Sequence, residues 1–137
     1  MQIHVGAWAA DLDEDGILWL SNFNYNGLYK YDFKNREMSC VHRFNDMRID
    51  KSELHREMYM CGSEIFLLPL SDNKIRIYNK KTNIEESIAI PNSQGKNYNT
   101  CILENKALLF SDNSTQDILA FDFSKKTLAV ELKLSLL

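Results

Sequence analysis

The chain has 137 residues, 45% of them hydrophobic, which is enough apolar sequence for the core of one domain spanning residues 1–137. Its 16 Lys and Arg against 19 Asp and Glu give a net charge of -3, without the basic excess that binds nucleic acid. No apolar run approaches the ~18 residues of a membrane span, and no signal peptide follows Met1. We expect a cytoplasmic domain that binds neither nucleic acid nor membrane, unless the chain is a piece of a longer protein.

The cysteines are odd in number and irregularly spaced, and no C-x-x-C pair of a zinc site occurs. Cys40, Cys61 and Cys101 are therefore predicted to be reduced and mostly buried thiols. Such thiols are typical of a reducing compartment.

The first predicted strands occupy the segment before residue 45. IHVGAWAA is a strand candidate, and Asp15 and Gly16 form a turn signal after it. The run ILWL from Ile17 does not alternate, which predicts a strand covered on both faces. GLYKYD does alternate, so Tyr29 and Tyr31 share one face. An apolar strand through MSCVHRF follows, giving four strands.

The same order of elements recurs twice along the chain. The second copy is EIFLLPLSDNKIRIYNKKTNIEESIAI from Glu64, and the third is ALLFSDNSTQDILAFDFSKKTLAVEL from Ala107. The copies align without a gap at offsets of 47 and then 43 residues. Two series of residues define this alignment. The apolar run contributes Trp19, Phe66 and Leu109, and the alternating run contributes Tyr31, Tyr78 and Phe121. We interpret the positions of the alternating run as core positions.

A further strand candidate, EMYMCG or NTCILE, precedes each later copy. Four-stranded units of about 40 to 50 residues with central strands buried on both faces are typical of β-propeller blades. The sequence therefore predicts an all-β, β-propeller-like fold of three four-stranded antiparallel blades, approximately residues 2–45, 55–91 and 97–135. DMRIDKSELHREM, between the first two blades, is predicted to be a connecting loop with at most one helical turn.

A family resemblance follows from one segment of the first blade. DEDGILWLSNFNYNGLYKYD resembles the blades of bacterial β-propeller proteins, whose repeats read Asp-Gly, an apolar strand with Trp, and Gly-Leu-Tyr-x-Tyr-Asp. Its general layout is also similar to that of kelch-like propellers. The resemblance implies a propeller fold, and it fits a fragment of a sensor propeller.

Three blades leave two blade faces uncovered, because propellers usually close with about four to eight blades. Soluble proteins seldom expose large apolar patches of this kind. We therefore expect a partner at the open faces, either another protein or a second copy of the chain. Two chains joined head to tail as a homodimer would make a six-bladed ring. The alternatives are a fragment of a longer propeller and an open three-bladed stack.

The acidic segment before the first apolar run has the opening spacing of a calcium loop. Asp11, Asp13 and Asp15 with Gly16 match D-x-D-x-D-G, in which alternate carboxylates converge on the ion. The later ligand positions are not acidic, and a hairpin turn at Asp15 and Gly16 is the preferred interpretation. We predict no metal and no cofactor, and calcium binding by the three acids is left open.

The segment FNYNG contains the candidate ligand-binding residues. Aromatic rings can stack on a sugar while neighbouring amides bind its hydroxyls. The other copies have LSDN and SDNSTQ here, without an aromatic residue, so the alternative is a solvated turn at Asn26 and Gly27. The candidates for binding a carbohydrate are Phe23, Asn24, Tyr25 and Asn26.

Catalytic motifs are absent from the sequence. His4, His42 and His55 fall in different elements, no G-x-S-x-G or H-E-x-x-H motif accompanies them, and a structural role is predicted for them. Glu85 and Glu86 are interpreted as solvated charges. We predict that the protein is not an enzyme but a binding or protein-interaction module. The alternatives are a glycan-binding or glycan-processing propeller, completed by oligomerisation or missing blades, and a fragment of a sensor propeller.

Overall fold

The computed structural model describes residues 9–22, 27–44, 55–93, 96–111 and 117–132. These ranges form β-strands joined by turns and contain no helix, so none of their segments is a helix that could cross a membrane. The strands are β1 (Ala9–Leu12), β2 (Leu18–Asn22), β3 (Gly27–Asp32), β4 (Glu37–Arg43), β5 (His55–Cys61), β6 (Glu64–Pro69), β7 (Lys74–Asn79), β8 (Glu85–Ala89), β9 (Tyr98–Leu103), β10 (Lys106–Ser111), β11 (Ile118–Asp122) and β12 (Thr127–Leu132).

The strands form three four-stranded antiparallel sheets, in the orders β1-β2-β3-β4, β5-β6-β7-β8 and β9-β10-β11-β12. Within each sheet, every strand pairs with its neighbours in the chain. The three sheets coincide with the three predicted units and are called blades 1, 2 and 3. The predicted all-β architecture of three four-stranded blades is confirmed.

The outer hairpin of each blade is closed in the same way. A side-chain oxygen of the last residue of the third strand accepts hydrogen bonds from the backbone N–H groups two and three residues later. A residue with positive φ then completes the turn. This is why each copy has Asp or Asn at the end of its third strand. The closing residues are Asp32, Asn79 and Asp122, and the residues with positive φ are Arg36, Asn83 and Lys126.

The strand register corrects one part of the repeat alignment. Tyr78 lies opposite Ile65, whereas Phe121 lies opposite Ala107. The hairpin of β10 and β11 is therefore one residue longer than that of β6 and β7. The gap-free match of Phe66 with Leu109 is wrong, and Phe66 corresponds to Leu108.

Blade 2 lies between the other two blades and is covered on both faces. One face packs on blade 1 in the 1/2 interface, and the other packs on blade 3 in the 2/3 interface. The buried apolar side chains of blade 2 are Met58, Ile65, Leu67 and Tyr78 at the 1/2 interface, and Phe66, Leu68, Ile75 and Ile77 at the 2/3 interface.

The recurring aromatic of the third strand packs toward the preceding blade. Tyr78 and Phe121 are 1% and 0% exposed, so their predicted core positions are confirmed. Tyr31 shares its face of blade 1 with Leu18, away from blade 2, and is only half-buried, with its ring 4.9 Å from that of Phe33. The prediction that Tyr31 lies in the core is wrong for the described chain, because no blade precedes blade 1 there.

All three cysteines are free and exposed, so the prediction of mostly buried thiols is wrong. Cys40 lies opposite Tyr29 on the outer face of blade 1. Cys101 lies opposite Leu108 on the outer face of blade 3. These positions would be covered only if another blade were stacked on each end.

Candidate functional site

Six polar side chains meet among the apolar side chains of the 1/2 interface. We call them the buried polar cluster: Ser21 and His42 from blade 1, and His55, Asp72, Arg76 and Glu85 from blade 2. Ser21 lies at the end of β2 and His55 begins β5, while Asp72 lies in the turn between β6 and β7. Blade stacking brings these elements together.

Arg76 is the centre of the cluster and is 1% exposed. Its Nε donates to Asp72 Oδ2 at 2.7 Å, and its Nη1 donates to Glu85 Oε2 at 3.0 Å. The guanidinium carbon also lies 5.0 Å from the ring centroid of Phe44, a cation–π contact with blade 1. The buried charge is therefore compensated by two carboxylates and an aromatic face.

His55 connects the carboxylate of Asp72 to the hydroxyl of Ser21. Its Nε2 lies 3.0 Å from Asp72 Oδ2, and its Nδ1 lies 2.5 Å from Ser21 Oγ. An ionised carboxylate only accepts hydrogen bonds, so Nε2 donates to Asp72. Nδ1 accepts from the Ser21 hydroxyl in the neutral ring and would donate to the Ser21 oxygen in the protonated ring. Burial raises the pKa of Asp72, but hydrogen bonds from His55 and Arg76 outweigh it and hold that pKa below its ordinary value.

A second contact across the blades joins His42 to Glu85. His42 Nε2 lies 2.7 Å from Glu85 Oε1, and the His42 ring centroid lies 5.2 Å from that of Tyr78. Both His42 and His55 thus have the hydrogen-bonded structural role that the sequence predicted. The interpretation of Glu85 as a solvated charge is wrong, because it binds Arg76 and His42. Glu86 is 53% exposed and pairs with Lys126.

The order serine, histidine and carboxylate is that of a hydrolase triad, but its setting here is different. Ser21 is 6% exposed and the side chain of His55 is 0% exposed. A nucleophile must reach its substrate, and this hydroxyl lies packed between two blades. In this conformation the arrangement can hold blade 1 against blade 2, and it leaves no room for a substrate at Ser21.

The acidic turn between β1 and β2 uses its central carboxylate for the fold. Asp13 Oδ1 accepts from the backbone N–H groups of Asp15 and Ile17, and Oδ2 accepts from Trp19 Nε1 at 2.8 Å. Burial raises the pKa of Asp13, but these hydrogen bonds lower it by more, so the pKa lies below its ordinary value. Gly16 has a φ of 77, as the predicted turn requires.

The described residues bear on only one of the two candidate sites of the sequence, the acidic one. Asp11 Oδ1 accepts from the backbone N–H of Leu12, and nowhere in the described ranges do three His, Cys, Asp or Glu side chains group around a metal position. The four candidates for sugar binding lie outside the described residues, and carbohydrate binding stays a prediction. They are Phe23, Asn24, Tyr25 and Asn26.

The sequence contains one signal for the buried polar cluster. Arg76 alternates with Ile75 and Ile77 and shares its face with Tyr78, which is a core position. A charged residue on the buried face of a strand requires a buried partner of opposite charge. The partners cannot be read from the sequence, because they lie on other strands and on another blade.

No protein-family model matches this chain, and no curated protein matches it in sequence. Solved structures do match. An inactive virginiamycin B lyase from Staphylococcus aureus with quinupristin has a TM-score of 0.67 at 12% identity, over 90% of this chain and 40% of the lyase chain. A streptogramin B lyase has a TM-score of 0.65 at 15% identity, over 93% and 42%. The extracellular domain of BT4673 from B. thetaiotaomicron, a putative one component system, has a TM-score of 0.60 at 13% identity, over 89% and 16%.

These neighbours are β-propeller proteins. The chain has a β-propeller fold. Identities this low establish the fold alone, because one fold supports many unrelated activities. The chain spans about 40% of the length of the lyases and 16% of the sensor domain. This propeller chain therefore corresponds to part of each neighbour, and the kelch-like resemblance stays a prediction.

Proposed function

We propose that this chain is a non-catalytic interaction module, and that it binds protein through the outer faces of blades 1 and 3, on which no further blade of the described chain packs. Residues directly opposite each other on paired strands share a face, which defines both surfaces. The blade 1 face carries the exposed Leu12, the half-buried Leu18, Tyr29 and Tyr31, and the buried Leu20. The blade 3 face carries the exposed Leu103, Phe110 and Leu132 and the half-buried Leu108 and Ile118.

The observation that carries the proposal is the distribution of exposed apolar side chains. Seven large hydrophobic residues are exposed in the described structure. Three lie on the blade 3 face, one lies on the blade 1 face, and a fifth makes an edge-to-face contact with Tyr31 beside it. A grouping of this kind marks interaction surfaces, whereas scattered exposed residues do not. These five are Leu103, Phe110, Leu132, Leu12 and Phe33.

Equivalent positions inside the molecule show how such faces are normally covered. Phe110 corresponds to Leu68, and Ile118 corresponds to Ile75, both 0% exposed in blade 2. Burying apolar surface stabilises an assembly by about 25 cal/mol per Å². The end blades thus present surfaces suited to covering by another sheet.

The chemistry of the buried polar cluster supports a role without catalysis. Every one of its side chains has a partner within the cluster, and Ser21 is closed off by the two blades. The lyases among the structural neighbours are enzymes, but at 12% and 15% identity their activity does not transfer to this chain.

The test combines solution mass with binding of the hydrophobic dye anilinonaphthalene sulfonate. Open apolar faces should bind the dye, and faces covered by a partner should not. Replacing Phe110→Lys should lower dye binding if the faces are open, whereas Ile84→Lys, at a more exposed position off both faces, should not lower it by as much. A strict monomer that binds no dye contradicts the proposal.

A second candidate is a sensor fragment that binds a small ligand, favoured by the match to an extracellular sensor domain. Tyr25 would be its stacking residue. A glycan array of the wild-type protein and Tyr25→Ala tests the carbohydrate version. Signal in the wild type that is lost in the variant supports it, and no signal in the wild type counts against it.

A further inference from the structure

We propose that the protein partner is a second copy of this chain, which stacks its blade 1 on blade 3 of the first copy. This inference rests on the interaction function proposed above and names its partner. The contact is head to tail, so that each copy uses a different face.

A pair of side chains recurs at both internal interfaces. At the 1/2 interface the ring centroids of Trp19 and Tyr78 are 6.4 Å apart. At the 2/3 interface the centroids of Phe66 and Phe121 are 6.0 Å apart. In each pair the second strand of one blade supplies the first side chain, and the third strand of the next blade supplies the other.

The second-strand position and the third-strand position each have one side chain that does not form such a pair in the described chain. Leu108 is the blade 3 equivalent of Trp19 and Phe66, and it lies on the outer face. Tyr31 is the blade 1 equivalent of Tyr78 and Phe121, and it lies on the opposite outer face. Head-to-tail stacking would place Leu108 of one copy against Tyr31 of the other and so repeat the internal pairs.

The polarity of the blade 1 face agrees with this contact. Tyr29 stands where blade 2 has Arg76, and Met38 stands where blade 2 has Glu85. The blade 1 face therefore lacks the two charges that the 1/2 interface must neutralise. In this respect it matches the face of blade 3 that packs on blade 2, where the same two positions are Leu119 and Leu128.

The blade 3 face carries the matching apolar surface. Blade 2 covers blade 3 with four buried apolar side chains, and their equivalents on the outer face of blade 3 are also apolar. A contact between copies would thus have the composition of the 2/3 interface. The pairs of equivalent residues are Phe66 and Leu108, Leu68 and Phe110, Ile75 and Ile118, and Ile77 and Ala120.

A second copy also accounts for both faces at once. Two chains of three blades, joined at two identical contacts, form a closed ring of six blades. Six lies within the usual range of roughly four to eight blades. An unrelated protein on one face would leave the other face open.

The experiment measures the mass in solution of the 137-residue chain and of one variant on each face. The wild type should have the mass of two copies of 16.0 kDa, and Leu108→Lys and Tyr31→Lys should each reduce the mass to that of one copy. Both side chains are half-buried, so circular dichroism spectra should show that the variants remain folded. Ile84→Lys, at a position off both faces, should keep the mass of the wild type.

A charge pair tests the direction of the contact. Leu108→Lys combined with Tyr31→Glu in one chain should restore the two-copy mass, because head-to-tail stacking brings the two positions together. A dimer that only one face variant dissociates, or that the charge pair does not restore, overturns the head-to-tail contact. A mass above two copies overturns the closed six-bladed ring.

The outcome also separates this inference from the interaction function on which it rests. A wild-type monomer at all concentrations that binds the hydrophobic dye overturns the second copy as partner and leaves the open interaction faces. A monomer that does not bind the dye overturns both.

Discussion

The two interblade interfaces join similar sheets by different chemistry. At the 1/2 interface Arg76 and Glu85 belong to a buried network of charges, whereas the equivalent positions at the 2/3 interface are Leu119 and Leu128. The 2/3 interface is instead built around aromatic contacts such as that of Tyr59 with Phe123, at 4.1 Å between centroids. The blade geometry therefore accommodates either solution, provided that every buried charge has a partner.

We expect the stability of an interface and its choice of neighbouring blade to have different sources in this fold. Buried charges add little net stability, because their desolvation offsets their attraction. A wrong neighbour would nevertheless leave Arg76 or Asp72 unpaired. We therefore expect the 1/2 interface to select which blades are adjacent, and the 2/3 interface to supply apolar burial of a less selective kind.

Removing the central cation should have the largest effect. Arg76→Met leaves Asp72 and Glu85 without their main partner and should lower the free energy of unfolding by about 3–5 kcal/mol. Arg43→Met makes the same change at an exposed position and should stay within ~0.5 kcal/mol. Denaturation by urea measures both. A loss below about 1 kcal/mol for Arg76→Met would show that the cluster does not hold the interface.

Truncation at the 2/3 interface should cost about 2–5 kcal/mol, through a cavity and lost burial. Leu109→Ala is suitable, because Leu109 is 0% exposed and belongs to the apolar core between blades 2 and 3. Ile84→Ala, at a 64% exposed position, is the control. Urea denaturation at low and high salt should give the same loss, and a strong dependence on salt would contradict the apolar description.

Acid should weaken the contacts that the Asp72 carboxylate makes at the 1/2 interface. The pKa of Asp72 is lower in the folded chain than the ~3.9 of an unfolded chain, so the ionised carboxylate stabilises the fold above that value. This contribution is lost as the pH falls through the lower folded pKa. The free energy of unfolding should therefore decrease below about pH 4. Asp72→Asn should flatten part of this slope, and the remainder should persist because hydrogen bonds also lower the pKa of Asp13.

The ion pairs at the rim of the 2/3 interface should matter least. Lys126 contacts Glu64 and Glu86 of blade 2, and its hydrogen bonds to them raise its pKa. The Lys126 side chain is 31% exposed, so solvent and salt screen these pairs. Lys126→Ala should cost less than about 1 kcal/mol, and the loss should shrink further in high salt. Thermal melting with the exposed Lys125→Ala as control measures it.

Local patterns predicted most strands of this fold. The predicted first strand IHVGAWAA lies mostly outside the described residues, and β5 begins at His55, inside the predicted loop DMRIDKSELHREM. Alternation in GLYKYD and KIRIYN, continuous apolar runs, and Asp or Asn at the hairpins each act within one strand or turn. The buried polar cluster depends instead on contacts between distant segments. Ser21 lies 34 residues from His55, and His42 lies 43 residues from Glu85. Such pairs follow from strand register and blade stacking, which no local pattern specifies.

The error in the repeat alignment has a similar cause. Phe66 was matched with Leu109 because a comparison without gaps cannot detect a hairpin that is one residue longer. In a strand, a shift by one residue moves a side chain to the opposite face. Because of this mismatch, the sequence comparison did not identify Leu108 as the outward-facing member of its series. The composition of the blade 3 face was therefore not predicted.

The position of blade 2 has a consequence for how the chain opens. β6 and β7 have a strand on each edge and a blade on each face, and Ile65–Pro69 is buried throughout. Their backbone amides should exchange hydrogen with solvent only when the whole chain unfolds, whereas those of β4 and β12 should exchange by local fraying. The middle blade would then be the last structure lost on unfolding, and the end blades would be stable only while it is intact.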